Sequence, residues 1–147
     1  MDSWRLASGR YDPLSGEGAR LFGGRWNSAG RPMVYASESL ALAVLESLVH
    51  ITGAFPADYH AFRIAIPEDE LEILDSNLLK TGWVEDLGYT RAIGDQWFDQ
   101  GRSLALIVPS AVIGASLNVL INPHHPRAWK IRVGHRESFR FDPRLAT

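Results

Sequence analysis

Three side chains in the first third of the chain have the types and spacing of a working site: Arg25, Tyr35 and Glu46. Arg25 lies in Gly23-Gly24-Arg25-Trp26-Asn27-Ser28-Ala29-Gly30, Tyr35 in Val34-Tyr35-Ala36-Ser37, and Glu46 in the apolar run Leu45-Glu46 that follows. A guanidinium beside glycines can approach a phosphate and grip it with two parallel hydrogen bonds. A tyrosine ring suits a planar group. A fixed carboxylate stabilises positive charge that develops as a bond breaks, as at a ribose losing its leaving group. NAD+ held for cleavage at its nicotinamide–ribose bond answers to all three, as one option among several on residue type alone. Ser110 follows Pro109 at the end of an apolar run and could hydrogen-bond a bound nucleotide.

Each residue also has an ordinary reading. Glu46 could be a half-exposed helix glutamate paired with His50 or an arginine. Arg25 could be a surface arginine stacked on Trp26. Tyr35 could be a core tyrosine with a satisfied hydroxyl, and Ser110 a turn or helix cap. Rival site motifs are weak. Gly16-Glu17-Gly18 and Gly23-Gly24 form neither a GxGxxG nor a Walker sequence. The five histidines offer no HExxH pair, so no metal site is expected. GxSxG is absent as well.

The elements that must position these residues read as follows. A strand is expected over 4–7, a Gly-rich loop over 11–24 and a buried strand over 33–36. A helix capped by Ser37 or Ser39 runs to about residue 50, with Leu40, Val44 and Leu48 on one face. Alternation predicts a strand over 59–66, with His60, Phe62, Ile64 and Ile66 on one side. A short strand over 71–74 and a helix over 86–100, packing through Ile93, Trp97 and Phe98, come next. Strands over 104–108, 117–121, 129–133 and 138–141 complete the chain, with Gly134-His135-Arg136 expected to turn a hairpin between the last two. The pattern is a mixed α+β domain spanning 1–147.

Composition bounds the function. The 147 residues suit one domain, and 46% hydrophobic with 22% charged residues is an ordinary soluble balance. The net charge of −2 gives no global field for nucleic acid or an anionic membrane. With no cysteine there are no disulfides, thiolate metal sites or cysteine nucleophile. Met1-Asp2-Ser3-Trp4-Arg5 has no basic region leading into an apolar run, so no signal peptide is expected and the expected location is the cytoplasm.

Taken in order, these segments resemble the RES-domain family, toxins of RES–Xre type II toxin–antitoxin systems. The resemblance rests on Gly-Gly-Arg25-Trp-Asn, Val-Tyr35-Ala-Ser, Leu-Ala-Val-Leu-Glu46-Ser-Leu-Val-His50, Val-Pro-Ser110-Ala-Val, Asn118-Val-Leu-Ile-Asn122-Pro-His-His and the ending Phe139-Arg-Phe-Asp142-Pro-Arg-Leu. It covers nearly the whole chain and is loosest between Glu68 and Arg102. It implies that Arg25, Glu46 and Ser110 are the family's namesake residues, that Tyr35 is its active-site tyrosine, and that Arg5 lies near the NAD+ pocket. It further implies a fold like the ADP-ribosyltransferase toxins: two small β-sheets packed near-perpendicular, surrounding helices and an NAD+ cleft. NAD+ would be substrate, with no resident cofactor. The ADP-ribosyl group would pass to phosphate or water, as in an NAD+ phosphorylase or glycohydrolase, or to a target protein by mono-ADP-ribosylation. An Xre-type helix-turn-helix antitoxin would be the partner. The alternative is a non-catalytic nucleotide-binding or interaction module on the same fold.

Overall fold

The computed structural model describes residues 1–146. Its strands are β1 (Asp2–Ser8), β2 (Val34–Ser37), β3 (Tyr59–Ala65), β4 (Leu71–Ile73), β5 (Ala105–Pro109), β6 (Leu117–Ile121), β7 (Arg132–Val133) and β8 (Glu137–Ser138). The helices are α1 (Glu17–Phe22), α2 (Leu40–Leu48) and α3 (Leu87–Gln100). All eight strands join in one sheet of order β4-β5-β6-β2-β1-β3-β7, with β8 also on β3. Every pairing is antiparallel except β4 with β5.

One sheet therefore stands where two were expected, but it has two halves. β1 pairs with β3 over seven residues and β2 with β6 over four, whereas β1 and β2 meet only at Trp4↔Ser37. The main core draws Phe62 and Ile64 from one half and Ala105, Ile107, Val119 and Ile121 from the other, with Val34 and Ala36 of β2 between them. No residue of α1, α2 or α3 belongs to that core. The sheet curls so that its two halves bury this inner face against each other, which lets a narrow join serve in place of a second sheet.

The outer face carries the helices. Over β1 and β3, α2 packs through Ala43, with Leu40, Val44 and Leu48, onto Leu6, Ala61 and Phe141. Over β5 and β6, α3 packs through Trp97 onto Leu106, Val108 and Leu120, together with Trp26 and Met33. Both helices have side-chain caps. Of the two serines considered, Ser39 caps α2, its Oγ accepting from the Leu42 N–H at 3.1 Å. Asp86 caps α3 by accepting from the Tyr89 N–H at 3.0 Å.

Other expectations need correction. The 11–24 loop contains α1, which buries none of its residues and leaves Phe22 81% exposed, so no apolar periodicity announced it. The 129–133 strand is a 3-10 turn (Ala128–Lys130) followed by the two-residue β7, and the last strand is only β8. These two form no hairpin. β7 pairs with Ile64 and Ala65, the Gly134 N–H donates to the Arg63 carbonyl at 2.8 Å, and β8 pairs with His60 and Ala61. The chain runs on along the free edge of β3 because that seven-residue edge offers more backbone partners than a turn back would.

One contact decides how α3 lies over the site. A Cβ at Gly94 would sit 1.7 Å from the Trp26 carbonyl oxygen, so helix and glycine-rich loop touch backbone to backbone. Gly94→Ala must push them apart, and is expected to cost about 3 kcal/mol, the upper part of the range for overpacking. The midpoint of urea unfolding measures this; a midpoint equal to that of the unsubstituted chain would contradict the close packing.

Candidate active site

Glu46 is held by two donors that converge on one of its oxygens. Its Oε1 accepts from Ser110 Oγ and from Asn118 Nδ2, each at 2.7 Å. Ser110 is fully buried, and its Oγ accepts from the Val112 and Ile113 N–H groups, both at 3.0 Å. With its lone pairs so engaged, the single hydroxyl proton of Ser110 goes to Glu46. Asn118 Oδ1 accepts from Ser37 Oγ at 2.7 Å, across the Ser37↔Asn118 register pair. Among the described residues, Oε2 accepts no protein hydrogen bond, and neither His50 nor an arginine pairs with this carboxylate. Ser110 is thus the expected turn residue and a direct partner of Glu46 at once.

Arg25 sits in a loop fastened from both sides. Asn27, fully buried, has Oδ1 accepting from the Tyr35 hydroxyl at 2.6 Å and Nδ2 within 3.1 Å of the carbonyls of Ala19, Ser28 and Arg31. The Trp26 N–H donates to the same Tyr35 oxygen at 3.0 Å. From α3, Thr90 Oγ1 donates to the Arg25 carbonyl at 2.6 Å and Arg91 Nε to the Gly24 carbonyl at 2.8 Å. Asp95 accepts from the backbone and side chain of Ser28 at 2.9 and 2.6 Å. A Cβ on Gly24 would lie 2.6 Å from the Tyr35 hydroxyl, so only glycine allows this approach. Arg31 closes the loop onto Asp99 at 2.8 Å, and that hydrogen bond holds the Asp99 carboxyl below its usual range. The clamp is therefore intact at neutral pH and loosens only as pH falls through that lowered value. The Arg25 guanidinium is free of this scaffold and donates to the Val84 carbonyl at 2.7 Å.

Tyr35 and Arg5 meet at the join of the two half-sheets. Burial, the largest influence on Tyr35, pushes its phenol well above the ordinary value, so it stays a neutral donor to Asn27. Its hydroxyl belongs to the loop scaffold, as in the ordinary reading of a core tyrosine. Arg5 Nη1 donates to the Tyr35 carbonyl at 3.0 Å, where the β1–β2 ladder has already ended. Arg5 Nε is buried without a partner, and burial lowers the guanidinium pKa from its usual value.

β2 is the ruler of the site. Tyr35 and Ser37 share a face of the strand and stand roughly 7 Å apart along it. The first leads through Asn27 to Arg25, the second through Asn118 to Glu46. The structure thus brings Glu46 directly to Ser110 and Arg5 directly to Tyr35, and it sets Arg25 on the α3 side of β2 opposite α2. Two cavities lie elsewhere. One of about 310 Å³ is lined by Phe55, Pro56, Ala57, Phe139, Arg140 and Phe141, the other, of about 140 Å³, by residues of β4, β5 and α3 among others. Neither is lined by Arg5, Arg25, Tyr35, Glu46 or Ser110. Among the described residues, no group of three or more His, Asp or Glu could hold a metal ion.

Asn27, Ser37 and Asn118 join the site without being among the residues expected there. Asn27 carried a signal in its glycine-rich setting. Ser37 and Asn118 lie in segments that carry the family likeness, but nothing in the sequence joins them, because their contact depends on the β2–β6 register.

The model of the RES domain matches residues 2–142. The chain belongs to the RES domain family. Toxin Res of Photorhabdus laumondii is 39% identical over 151 residues, covering 99% of this chain and 97% of that protein. The Prs ADP-ribosylating toxin of a Sphingobium species is 38% identical over 152 residues, covering 97% and 94%. Toxin Res of Pseudomonas putida is 38% identical and covers 99% of each chain. Among solved structures, a chain of the M. tuberculosis MbcT–MbcA toxin–antitoxin complex superposes with a TM-score of 0.71 over 95% of this RES domain and 84% of its own length. At 18% identity that likeness establishes the fold: mixed α+β built on a curled sheet.

The Tyr35 hydroxyl can be tested apart from chemistry. Tyr35→Phe leaves buried Asn27 Oδ1 and the Trp26 N–H without their shared partner, and should lower stability by about 2 kcal/mol. Denaturant unfolding measures it, and an unchanged midpoint would remove the hydroxyl from the loop scaffold.

Proposed function

We propose that this RES-family toxin binds NAD+ and breaks its nicotinamide–ribose bond, passing the ADP-ribosyl group to phosphate, to water or to a target protein. The observation that carries the reading is the Glu46 carboxylate: Oε1 pinned by Ser110 and Asn118, Oε2 free, on the outer face where β2 leads to Arg25. Kinship with a protein named as a Prs ADP-ribosylating toxin supports an enzymatic toxin.

In this mechanism NAD+ lies along β2 between α2 and α3, in the cleft of an ADP-ribosyltransferase-like fold. Arg25, and Arg5 with the donors it has free, face the diphosphate. Arg25 exchanges its Val84 carbonyl for a phosphate oxygen, a charge-assisted bond in place of a neutral acceptor. The Tyr35 ring borders the nicotinamide end, and Ser110 orients the nucleotide through Glu46. The C–N bond breaks with its electron pair leaving on neutral nicotinamide, and the ribose becomes oxocarbenium-like. The Glu46 carboxylate stabilises that charge until a nucleophile adds at the same carbon. Phosphate or water as nucleophile consumes NAD+; a protein side chain becomes modified. NAD+ is substrate, and no resident cofactor takes part.

The toxin's partner in this reading is an Xre-type helix-turn-helix antitoxin that covers it; kinship of fold with a chain of a toxin–antitoxin complex supports a partner of that class. Among the described residues no helix is long and apolar enough to cross a membrane. The cytoplasm, where NAD+ is abundant, is the proposed place of action.

Glu46→Gln keeps the side chain's shape and removes its charge. It should lower the turnover of nicotinamide release about a hundredfold, the typical loss for an interaction made mainly in the transition state, with the fold intact. Arg25→Ala should raise the KM for NAD+. Full turnover in folded Glu46→Gln protein would exclude the mechanism, and an unchanged KM in Arg25→Ala would exclude its diphosphate contact.

A further inference from the structure

Behind Glu46 stands a pair of side chains that the proposed reaction does not use. We propose that Asn118 is a positioning residue for Glu46 and that Ser37 sets the sense of the Asn118 amide. The inference rests on Glu46 as the working carboxylate of the toxin.

An asparagine amide has two ends of nearly equal shape and opposite hydrogen-bonding sense. If it turned over, its oxygen would face Glu46 Oε1 and two acceptors would oppose each other. Ser37 prevents this. Directly across the β2–β6 register, its hydroxyl donates to Asn118 Oδ1 at 2.7 Å, which leaves Nδ2 to donate to Glu46 Oε1 at 2.7 Å. Ser37 is 3% exposed, so water does not compete freely for this contact.

The second donor on the same oxygen, Ser110 Oγ at 2.7 Å, comes from a different element, the turn after β5. One donor would leave the carboxylate free to swing about its broad terminal torsion. Two donors from separate elements fix the plane and keep Oε2 pointing away from both. The site therefore fixes which carboxylate oxygen works on the ribose, and Asn118 contributes half of that constraint without touching the ligand.

The test compares Asn118→Ala, Asn118→Asp and Ser37→Ala, each checked for folding by urea unfolding. Nicotinamide release from NAD+ is resolved into kcat and KM, and growth arrest on induction in cells is measured in parallel. Asn118→Ala is expected to lower kcat by about tenfold to a hundredfold with little change in KM, the scale of one lost hydrogen bond to a charged group. Asn118→Asp keeps the shape but replaces the donor by a like charge, so it should fall below Asn118→Ala. Ser37→Ala, which touches neither Glu46 nor ligand, should lower kcat severalfold.

A space-filling role predicts the reverse: Asp above Ala, and Ser37→Ala without effect. Either result would overturn the proposal, as would losses confined to KM. Should Asn118→Asp fail to fold, Ser37→Ala decides alone, full activity counting against the proposal. If the unsubstituted chain arrests growth yet releases no nicotinamide, the NAD+ reading fails. The order of the variants in growth arrest then still decides the role of Asn118.

Discussion

Four residues of β2 carry the constraint on which the rest of the molecule depends. Val34 and Ala36, 0% and 4% exposed, are buried in the core that the two halves of the sheet close between them. Strand periodicity then leaves Tyr35 and Ser37 no choice but the outer face. A slip of one residue would put a phenol and a hydroxyl into the apolar core and turn two small apolar side chains toward the site, so burial of the inner face sets the outer one. The join of β1 to β2 at a single residue pair also follows from this position: β2 belongs to the β6 half, and the curl of the sheet parts it from β1. Arg5 fills the gap, its guanidinium giving the Tyr35 carbonyl the donor that the ladder no longer supplies.

From that strip the two parts of the site are built by different means. The Glu46 side is a chain of hydroxyl and amide groups, Ser37 to Asn118 and then Asn118 and Ser110 to Glu46 Oε1, with Oε2 left over. The Arg25 side is a backbone scaffold, with the loop's own carbonyls taken by Asn27, Thr90 and Arg91 so that the arginine's side chain is the part left over. Its contact with Val84 couples it to the segment before α3, where Trp83 packs on Trp26 at 5.8 Å between ring centres. A ligand phosphate that took Arg25 from Val84, as proposed, would act on that packing too. Preorganisation on the Glu46 side and an exchangeable contact on the Arg25 side suit the proposed reaction, in which the site would bind an anion and then stabilise a cation.

Much of this was legible in the sequence where periodicity or caps were strong. β3, α3 and β6 stand where alternation, the Ile93, Trp97 and Phe98 spacing and the apolar runs place them. The family likeness draws attention to the segments around Arg25, Tyr35, Glu46 and Ser110, and the structure sets Ser110 against Glu46 and Tyr35 against the loop that carries Arg25. Three kinds of feature stayed hidden. α1 buries no residue fully and packs only Ala19 against the core beneath α3, so it has no apolar stripe to read. The C-terminal strands look like a hairpin because Gly134 suits a turn, while the open edge of β3, which captures them, is a property of the assembled sheet. Asn118 is an ordinary strand asparagine until the β2–β6 register sets it against Ser37 and within reach of Glu46. The single curled sheet was hidden for the same reason, since sequence patterns report strands and not the order in which they pair.

The measurement that bears most directly on the account is a crystal structure of the Glu46→Gln protein with NAD+ bound. The dinucleotide is expected along β2, with the diphosphate on Arg25, the Val84 contact broken, and the nicotinamide ribose against residue 46 on the side away from Ser110 and Asn118. NAD+ seated instead in the cavity between Phe55 and Phe141, or Arg25 still on Val84 beside a bound dinucleotide, would contradict it.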